Sequence, residues 1–171
     1  MDGEQLLYWD SDLFISRIQR TPDRINVLEP LTQAAERGEI RIVTSILAKA
    51  ECAFLRDSNL LPEDQEQLIV DFFENPYLTV LPVDDFVCEH ARKIIRANAG
   101  LRSIDAIHIA TAVSAGVPVL QAYDKTFGNA RGCSEIGQLV IQEPTTDQWI
   151  FDFGGTTPTE EEEAGAINDG T

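Results

Sequence analysis

Long apolar runs are missing from this 171-residue sequence. A membrane-spanning helix needs roughly 20 consecutive apolar residues, and no stretch approaches that length. Residues 1–4 are acidic and lead into a short apolar stretch, whereas a secretory signal has a basic start and a longer apolar core. We therefore expect no membrane association and no export signal.

Cysteine is also scarce. Cys52, Cys88 and Cys133 are far apart and odd in number, and they lack the paired spacing of a zinc site or a disulfide framework. We expect reduced thiols in a cytoplasmic protein.

Basic residues are few, since 13 Lys and Arg stand against 29 Asp and Glu and leave a net charge of −16. Residues 154–171 hold five of the acids and no Lys or Arg, so −11 belongs to residues 1–153. Such a domain lacks the broad basic face of most nucleic-acid-binding proteins. Its charge is compatible with a small nuclease whose bound cation supplies positive charge, and it suits a basic protein partner.

The length and the apolar fraction of 43% fit one globular domain with a tail. Beyond Phe153 the composition shifts to Gly, Thr, Pro and Glu, which is typical of disordered segments. We predict a folded domain over residues 1–153 and an acidic, disordered tail over residues 154–171.

Predicted strands and helices alternate along the chain. The strands are predicted over residues 6–9, 40–44, 78–83, 117–120 and 139–142. The helices are predicted over residues 13–19, 22–38, 45–56 and 62–73, from 84 or 85 to before Gly100, and from 103 to before Gly116. This order predicts a three-layer α/β/α fold with a mainly parallel sheet of about five strands. Such sheets bind ligands at the carboxyl ends of their strands.

Two aspartates follow predicted strands. Asp10 comes directly after the first strand, and Asp124 lies just past the fourth. Both are therefore expected at the ligand-binding edge of the sheet. Each also has an ordinary alternative, because Asp10 could cap the next helix and Asp124 could be a turn residue.

Two further acids lie on predicted helices. Glu51 has apolar neighbours three and four positions away, so it either reaches solvent at the border of the apolar face or is paired by something such as a metal ion. Asp105, in the first turn of its helix, could bind a ligand or interact with the helix dipole. His108 lies one turn further on the same side and could support a metal site or be a core histidine.

Asp10, Glu51, Asp105 and Asp124 would repel one another strongly if the fold brought them together. A hard divalent cation relieves that repulsion, and ligands that are all oxygens suit Mg²⁺ or Mn²⁺ rather than zinc. The sequence therefore predicts a Mg²⁺ (or Mn²⁺) site built from these four acids.

The four acids also stand in segments that resemble the motifs of the PIN domain family. These segments are residues 8–12 (YWDSD), 44–51 (TSILAKAE), 101–110 (LRSIDAIHIA) and 119–127 (VLQAYDKTF). Their order and spacing agree with the family over about residues 5–142. Within the family, the sequence is similar to VapC-like toxins of bacterial toxin–antitoxin pairs.

The resemblance implies a PIN-like fold and a metal-dependent endoribonuclease. The family's metal ligands correspond to the four acids, and possible support comes from Ser11, Asp12 and His108. In this mechanism one or two Mg²⁺ or Mn²⁺ ions bind the scissile phosphate, activate a water for in-line attack and stabilise the leaving oxygen. The resemblance also implies an RNA substrate, a cognate antitoxin and a homodimer.

Three features depart from the family pattern. Ala122 stands where Thr or Ser often precedes the last aspartate, Asp12 is an acid where Asn, Ser or Cys is usual, and the acidic tail is additional. The residues that could contact RNA phosphates, among which the sequence does not choose, are Arg17, Arg20, Arg41 and Arg102.

Two other functions are compatible with the sequence. Asp10-Ser11-Asp12 formally fits the nucleophile and general acid of haloacid-dehalogenase-like phosphatases. However, Leu13-Phe14 replaces the usual Gly-Thr, and Asp84-Asp85 comes too early for the late acidic pair of those enzymes. The second alternative is a non-catalytic interaction protein on the PIN fold, which the acidic charge and Ala122 keep open.

Overall fold

The computed structural model describes residues 4–55 and 59–146. Within these ranges a single sheet contains the strands β1 (Gln5–Trp9), β2 (Ile40–Ser45), β3 (Leu78–Leu81), β4 (Val119–Gln121) and β5 (Val140–Gln142). Their order across the sheet is β3-β2-β1-β4-β5, and every neighbouring pair is parallel. The prediction of a parallel sheet of about five strands is confirmed.

Helices cover both faces of the sheet. They are α1 (Ser11–Ile18), α2 (Ile25–Glu36), α3 (Leu47–Glu51), α4 (Glu63–Phe73), α5 (Asp85–Ala97) and α6 (Ser103–Ser114). Two short 3-10 turns, Lys125–Ala130 and Ser134–Ile136, connect β4 to β5. The predicted three-layer α/β/α architecture is therefore confirmed.

Alternation along β1 divides the apolar core in two. Leu7 and Trp9 pack in a cluster with α1, α2 and α4, whereas Tyr8 belongs to a cluster with α5 and α6 on the opposite face. Successive side chains of a strand point to opposite faces, so a central strand buried on both sides is apolar throughout. Tyr8 and Trp9, directly before Asp10, follow this pattern.

Helix ends differ from the prediction by a residue or two in several places, and by more in the second and third helices. The second begins at Ile25 rather than near Pro22, because Asp23 has φ = +67° and cannot continue a right-handed helix. The third ends at Glu51, because Phe54 leaves the helix to form an antiparallel bridge with Leu60. The predicted end at Arg56 lies outside the described residues.

Three other expectations concern the cysteines, membrane-spanning helices and the C-terminal tail. Cys52, Cys88 and Cys133 are free thiols, and Cys52 is buried. Among the described residues, no helix is long and apolar enough to span a membrane. The predicted tail over residues 154–171 and the predicted domain end at Phe153 lie outside the described residues, so both stay predictions.

Candidate functional site

The four predicted acids share one cavity at the carboxyl edge of the sheet. Its volume is about 690 Å³, and its lining includes Asp10, Glu51, Asp105 and Asp124. Asp10 follows β1, Glu51 ends the short helix after β2, and Asp124 comes three residues after β4. The parallel sheet brings these positions to one edge, and α6 places Asp105 in its first turn beside them.

Asp10 is buried and has few hydrogen-bond partners. It occupies the N-cap position of α1, yet its side chain makes no capping hydrogen bond. The residue is 4% exposed, and its Oδ1 has no hydrogen-bond partner among the described residues. Burial, and then the charges of Asp12, Glu51 and Asp105, raise the pKa of Asp10 well above the ordinary aspartate value. Capping alone therefore does not explain this carboxylate.

Glu51 is held by a buried histidine. The His108 Nε2 lies 2.6 Å from Glu51 Oε2, and its Nδ1 lies 2.8 Å from the Tyr8 hydroxyl. A neutral imidazole protonated on Nε2 satisfies both contacts, because the carboxylate only accepts and the phenol donates to Nδ1. Burial raises the pKa of Tyr8 and keeps that donor protonated. His108 is thus a core histidine that orients a site acid.

Asp105 and Asp124 are bridged by an arginine. The Arg102 Nε and Nη2 donate to Asp105 Oδ2 and Oδ1 at 2.8 and 2.9 Å, and Nη2 also donates to Asp124 Oδ2 at 2.6 Å. Burial by itself raises the pKa of Asp124, but hydrogen bonds from Thr126 and the charge of Arg102 outweigh it and lower that pKa.

Thr126 is a site residue that the sequence reasoning missed. Its backbone N–H donates to Asp124 Oδ1 at 2.9 Å, and its hydroxyl donates to Asp105 Oδ2 at 3.1 Å. A hydroxyl therefore reaches the site from two residues after Asp124, although Ala122 offers none from two residues before it. Part of the signal was available, because an Asp side chain in a turn commonly accepts the backbone N–H two residues further on.

The extra acid Asp12 has a basic partner of its own. Arg24 donates to Asp12 Oδ2 and to Ser16 Oγ, both at 2.8 Å, and its guanidinium lies 3.8 Å from the centre of the Tyr123 ring. Ser11 lines the same cavity as Asp12. Arg24 therefore holds two residues of the cavity wall, Asp12 and Tyr123. The sequence reasoning had not identified Arg24.

The four arginines that could contact RNA phosphates lie in different parts of the structure. Arg17 and Arg20 both pair with Glu29, and Arg41 pairs with Glu4 near the amino end of β2. Of those four, Arg102 is the one that lines the cavity.

The oxygen ligands that the four acids offer suit a hard divalent cation. Carboxylate oxygens are the ligands that Mg²⁺ and Mn²⁺ prefer, and Asp10 Oδ1 is a buried oxygen still without a partner in the described chain. Within residues 4–55 and 59–146, however, no three Asp, Glu, His or Cys side chains converge closely enough to hold a metal as they stand. Arg102 engages two of the four carboxylates and His108 engages a third.

Comparisons with known proteins agree with this architecture. A family model for the PIN domain matches residues 8–132, a span that contains all four acids. No curated protein sequence matches the chain significantly.

The solved structures of similar fold include toxins and toxin–antitoxin complexes. VapC20 from Mycobacterium tuberculosis, a sarcin-ricin-loop-cleaving toxin, has a TM-score of 0.60 and 15% identity over 73% of this chain and 95% of its own. VapBC2 from Rickettsia felis, bound to a DNA fragment of its promoter, has a TM-score of 0.58 and 14% identity over 82% and 99%. A complex from Klebsiella pneumoniae has a TM-score of 0.55 and 16% identity over 78% and 95%. At these identities the likeness concerns the fold.

Proposed function

Since this chain belongs to the PIN domain family, we propose that it is a divalent-metal-dependent endoribonuclease that hydrolyses phosphodiester bonds of RNA. The observation that carries the proposal is the buried Asp10 carboxylate, which has an oxygen without a partner among the described residues and lines a cavity with four other acids. A buried carboxylate left in this state is unfavourable unless a cation compensates it.

The chain's own residues divide the work. Asp10, Glu51 and Asp105 would hold Mg²⁺ or Mn²⁺, and Asp124 would complete the site or position a water. When bound, such a metal supplies positive charge beside the scissile phosphate and lowers the pKa of a water that it holds. The hydrogen bond from His108 orients Glu51. A cation is needed because the acidic cavity by itself repels a phosphate.

We further propose that the protein is the toxin of a type II toxin–antitoxin pair. Its fold is that of VapC20 and of two toxin–antitoxin complexes. Two large apolar side chains beside the cavity, Phe54 and Leu60, are joined by a β-bridge and are 51% and 69% exposed. An exposed apolar pair of this kind suits an antitoxin segment, and a homodimer is part of the same proposal.

The test of the ribonuclease is cleavage of single-stranded RNA in Mn²⁺ and in EDTA. We expect the wild type to cleave RNA in Mn²⁺ but not in EDTA. The cleavage rate of Asp10→Asn in Mn²⁺ should be lower by about two orders of magnitude or more. Asp64→Asn is the matched control, because Asp64 is an exposed acid in the first turn of α4. Wild-type cleavage by Asp10→Asn would contradict the assignment. A wild type that neither binds Mn²⁺ nor cleaves RNA would favour the non-catalytic interaction protein.

The partner proposal has a separate test. The small protein encoded by a neighbouring reading frame should co-purify with the chain and suppress its RNA cleavage. Phe54→Ser should weaken that association, whereas Phe86→Ser, at another exposed phenylalanine, should not. Size-exclusion chromatography with light scattering measures the proposed homodimer in the same samples.

The phosphatase alternative gains no support from the geometry. Asp84 Oδ1 accepts the Val87 backbone N–H and caps α5, and Asp12 pairs with Arg24.

A further inference from the structure

Arg102 contacts two of the four acids of the cavity, Asp105 and Asp124. It stands at the N-cap position of α6, and its side chain is 60% exposed, whereas that of Asp105 is 3% exposed. Its fork engages both oxygens of Asp105, and Nη2 also reaches Asp124 Oδ2. One exposed cation therefore bridges two acids that are 19 positions apart in sequence.

Hydrogen-bond donors are distributed unequally over the four acids. Arg102 and Thr126 together supply at least one donor to each of the four oxygens of Asp105 and Asp124. Asp10 Oδ1 has none among the described residues. The protein itself thus supplies a cation to Asp105 and Asp124, whereas Asp10 has no such partner among the described residues.

We propose that Arg102 is a displaceable counter-ion, which holds Asp105 and Asp124 together and leaves them when a divalent cation binds. The inference rests on the proposed function, because it requires a cation at these acids. A guanidinium and a divalent cation that contact the same carboxylate oxygens repel each other strongly at such short range. The exposed Arg102 side chain can move into solvent, whereas the buried Asp105 carboxylate cannot.

This arrangement makes metal binding an exchange of cations. Because Arg102 competes with the metal, it raises the metal concentration at which the site fills. It also limits the repulsion between Asp105 and Asp124 before the metal arrives. Removing the guanidinium should therefore strengthen metal binding and weaken the fold in the absence of metal.

The experiment is a calorimetric titration of Mn²⁺ into the full-length wild type and Arg102→Gln, without RNA. We expect Arg102→Gln to bind Mn²⁺ about three- to tenfold more tightly. Arg102→Lys keeps the charge but not the fork, so its affinity should fall between the two. In EDTA, Arg102→Gln should also melt at a lower temperature than the wild type.

Arg37→Gln is a matched control. Arg37 makes the same kind of fork, with Nε and Nη2 at 2.6 and 2.9 Å from the oxygens of Glu39, and its side chain is 57% exposed. It lies just before β2, at the opposite end of the sheet from the cavity. The substitution changes the net charge by the same amount, so its Mn²⁺ affinity should stay close to that of the wild type.

Several outcomes would overturn the inference. They are an Mn²⁺ affinity of Arg102→Gln that is equal to or weaker than that of the wild type, an equal gain in Arg37→Gln, or an unchanged melting temperature of Arg102→Gln in EDTA. Absence of Mn²⁺ binding in every variant would overturn the proposed metal site together with it. Wild-type binding without a gain in Arg102→Gln would overturn the counter-ion alone and leave the proposed function standing.

Discussion

The His108 imidazole lies 2.6 Å from the Glu51 carboxylate and also contacts the Tyr8 hydroxyl. Three residues from β1, α3 and α6 are therefore connected by hydrogen bonds. These hydrogen bonds connect the buried core on one face of the sheet to the edge where the acids meet. His108 is 1% exposed and Tyr8 is fully buried, so water does not replace His108 at the Tyr8 hydroxyl, whereas Glu51 lines the cavity and has a side chain that is 24% exposed.

His108→Gln should disturb both the fold and the site. Shortening this side chain leaves the Tyr8 hydroxyl or the Glu51 carboxylate without its partner, which typically costs about 1–3 kcal/mol and lowers the melting temperature by roughly 3–10 °C. RNA cleavage should fall about 10- to 100-fold, as it does when a residue that orients a metal ligand is lost. Thermal melting and initial cleavage rates measure the two effects.

The other histidine provides the control. His90 Nε2 contacts only the Glu135 backbone carbonyl in the described chain, at 2.7 Å, and lies outside the cavity lining. His90→Gln should leave cleavage unchanged. Equal cleavage rates in His108→Gln and the wild type would contradict the positioning role.

Asp10→Asn should stabilise the protein in a pH-dependent way. Burial and then neighbouring acids raise the pKa of Asp10 in the folded state, so the folded state holds this proton more tightly than the unfolded state does. The wild type therefore loses stability as the pH rises from about 4 through the raised pKa. Asparagine cannot ionise, so the variant avoids this loss.

The measurement is thermal melting in EDTA at pH 4.5 and pH 8. The advantage of Asp10→Asn over the wild type should grow with pH, by roughly 2–4 °C for each 1 kcal/mol of repulsion removed. Asp64→Asn should show no such trend. A variant that is less stable than the wild type at pH 8 would indicate that Asp10 has a structural role.

Thr126→Val tests the hydroxyl that reaches Asp105. Valine keeps the shape of threonine but cannot donate at 3.1 Å to Asp105 Oδ2, while the backbone N–H to Asp124 is retained. We expect a loss of about threefold to tenfold in Mn²⁺ affinity or cleavage rate, and a change of melting temperature within a few degrees. Thr79→Val on β3, away from the cavity, is the control. Unchanged affinity and rate would show that the hydroxyl has no part in the site.

Lys125→Gln tests the path of the substrate. Lys125 is exposed and lines both the acidic cavity and an adjoining one of about 300 Å³. If it contacts a phosphate of single-stranded RNA, the slope of log affinity against log salt should decrease in magnitude by about 0.7, with KM raised more than kcat is lowered. Lys93→Gln, an exposed lysine on α5, is the control. An unchanged salt slope would place the RNA elsewhere.

Much of the site followed from local patterns. The apolar strands before Asp10 and Asp124 and the alternation of strands and helices predicted both the parallel sheet and the edge at which the acids meet. The apolar neighbours of Glu51 three and four positions away left solvent or a partner from elsewhere as alternatives, and the fold supplies His108. Helix ends were predicted less well, because a left-handed residue such as Asp23 and a bridge such as Phe54 to Leu60 depend on the local chain path.

The sequence by itself determined which acids could form a site, since the order of strands and helices places residues at one edge whatever the details of packing. The tertiary structure alone decided how their charges are balanced. Asp10 is deeply buried, Glu51 pairs with His108, and Arg102 bridges Asp105 and Asp124. The contact of Arg102 with Asp105 is local, at i,i+3. The contacts of Glu51 with His108 and of Arg102 with Asp124 join side chains 57 and 22 positions apart, and they form only when the helices pack on both faces of the sheet.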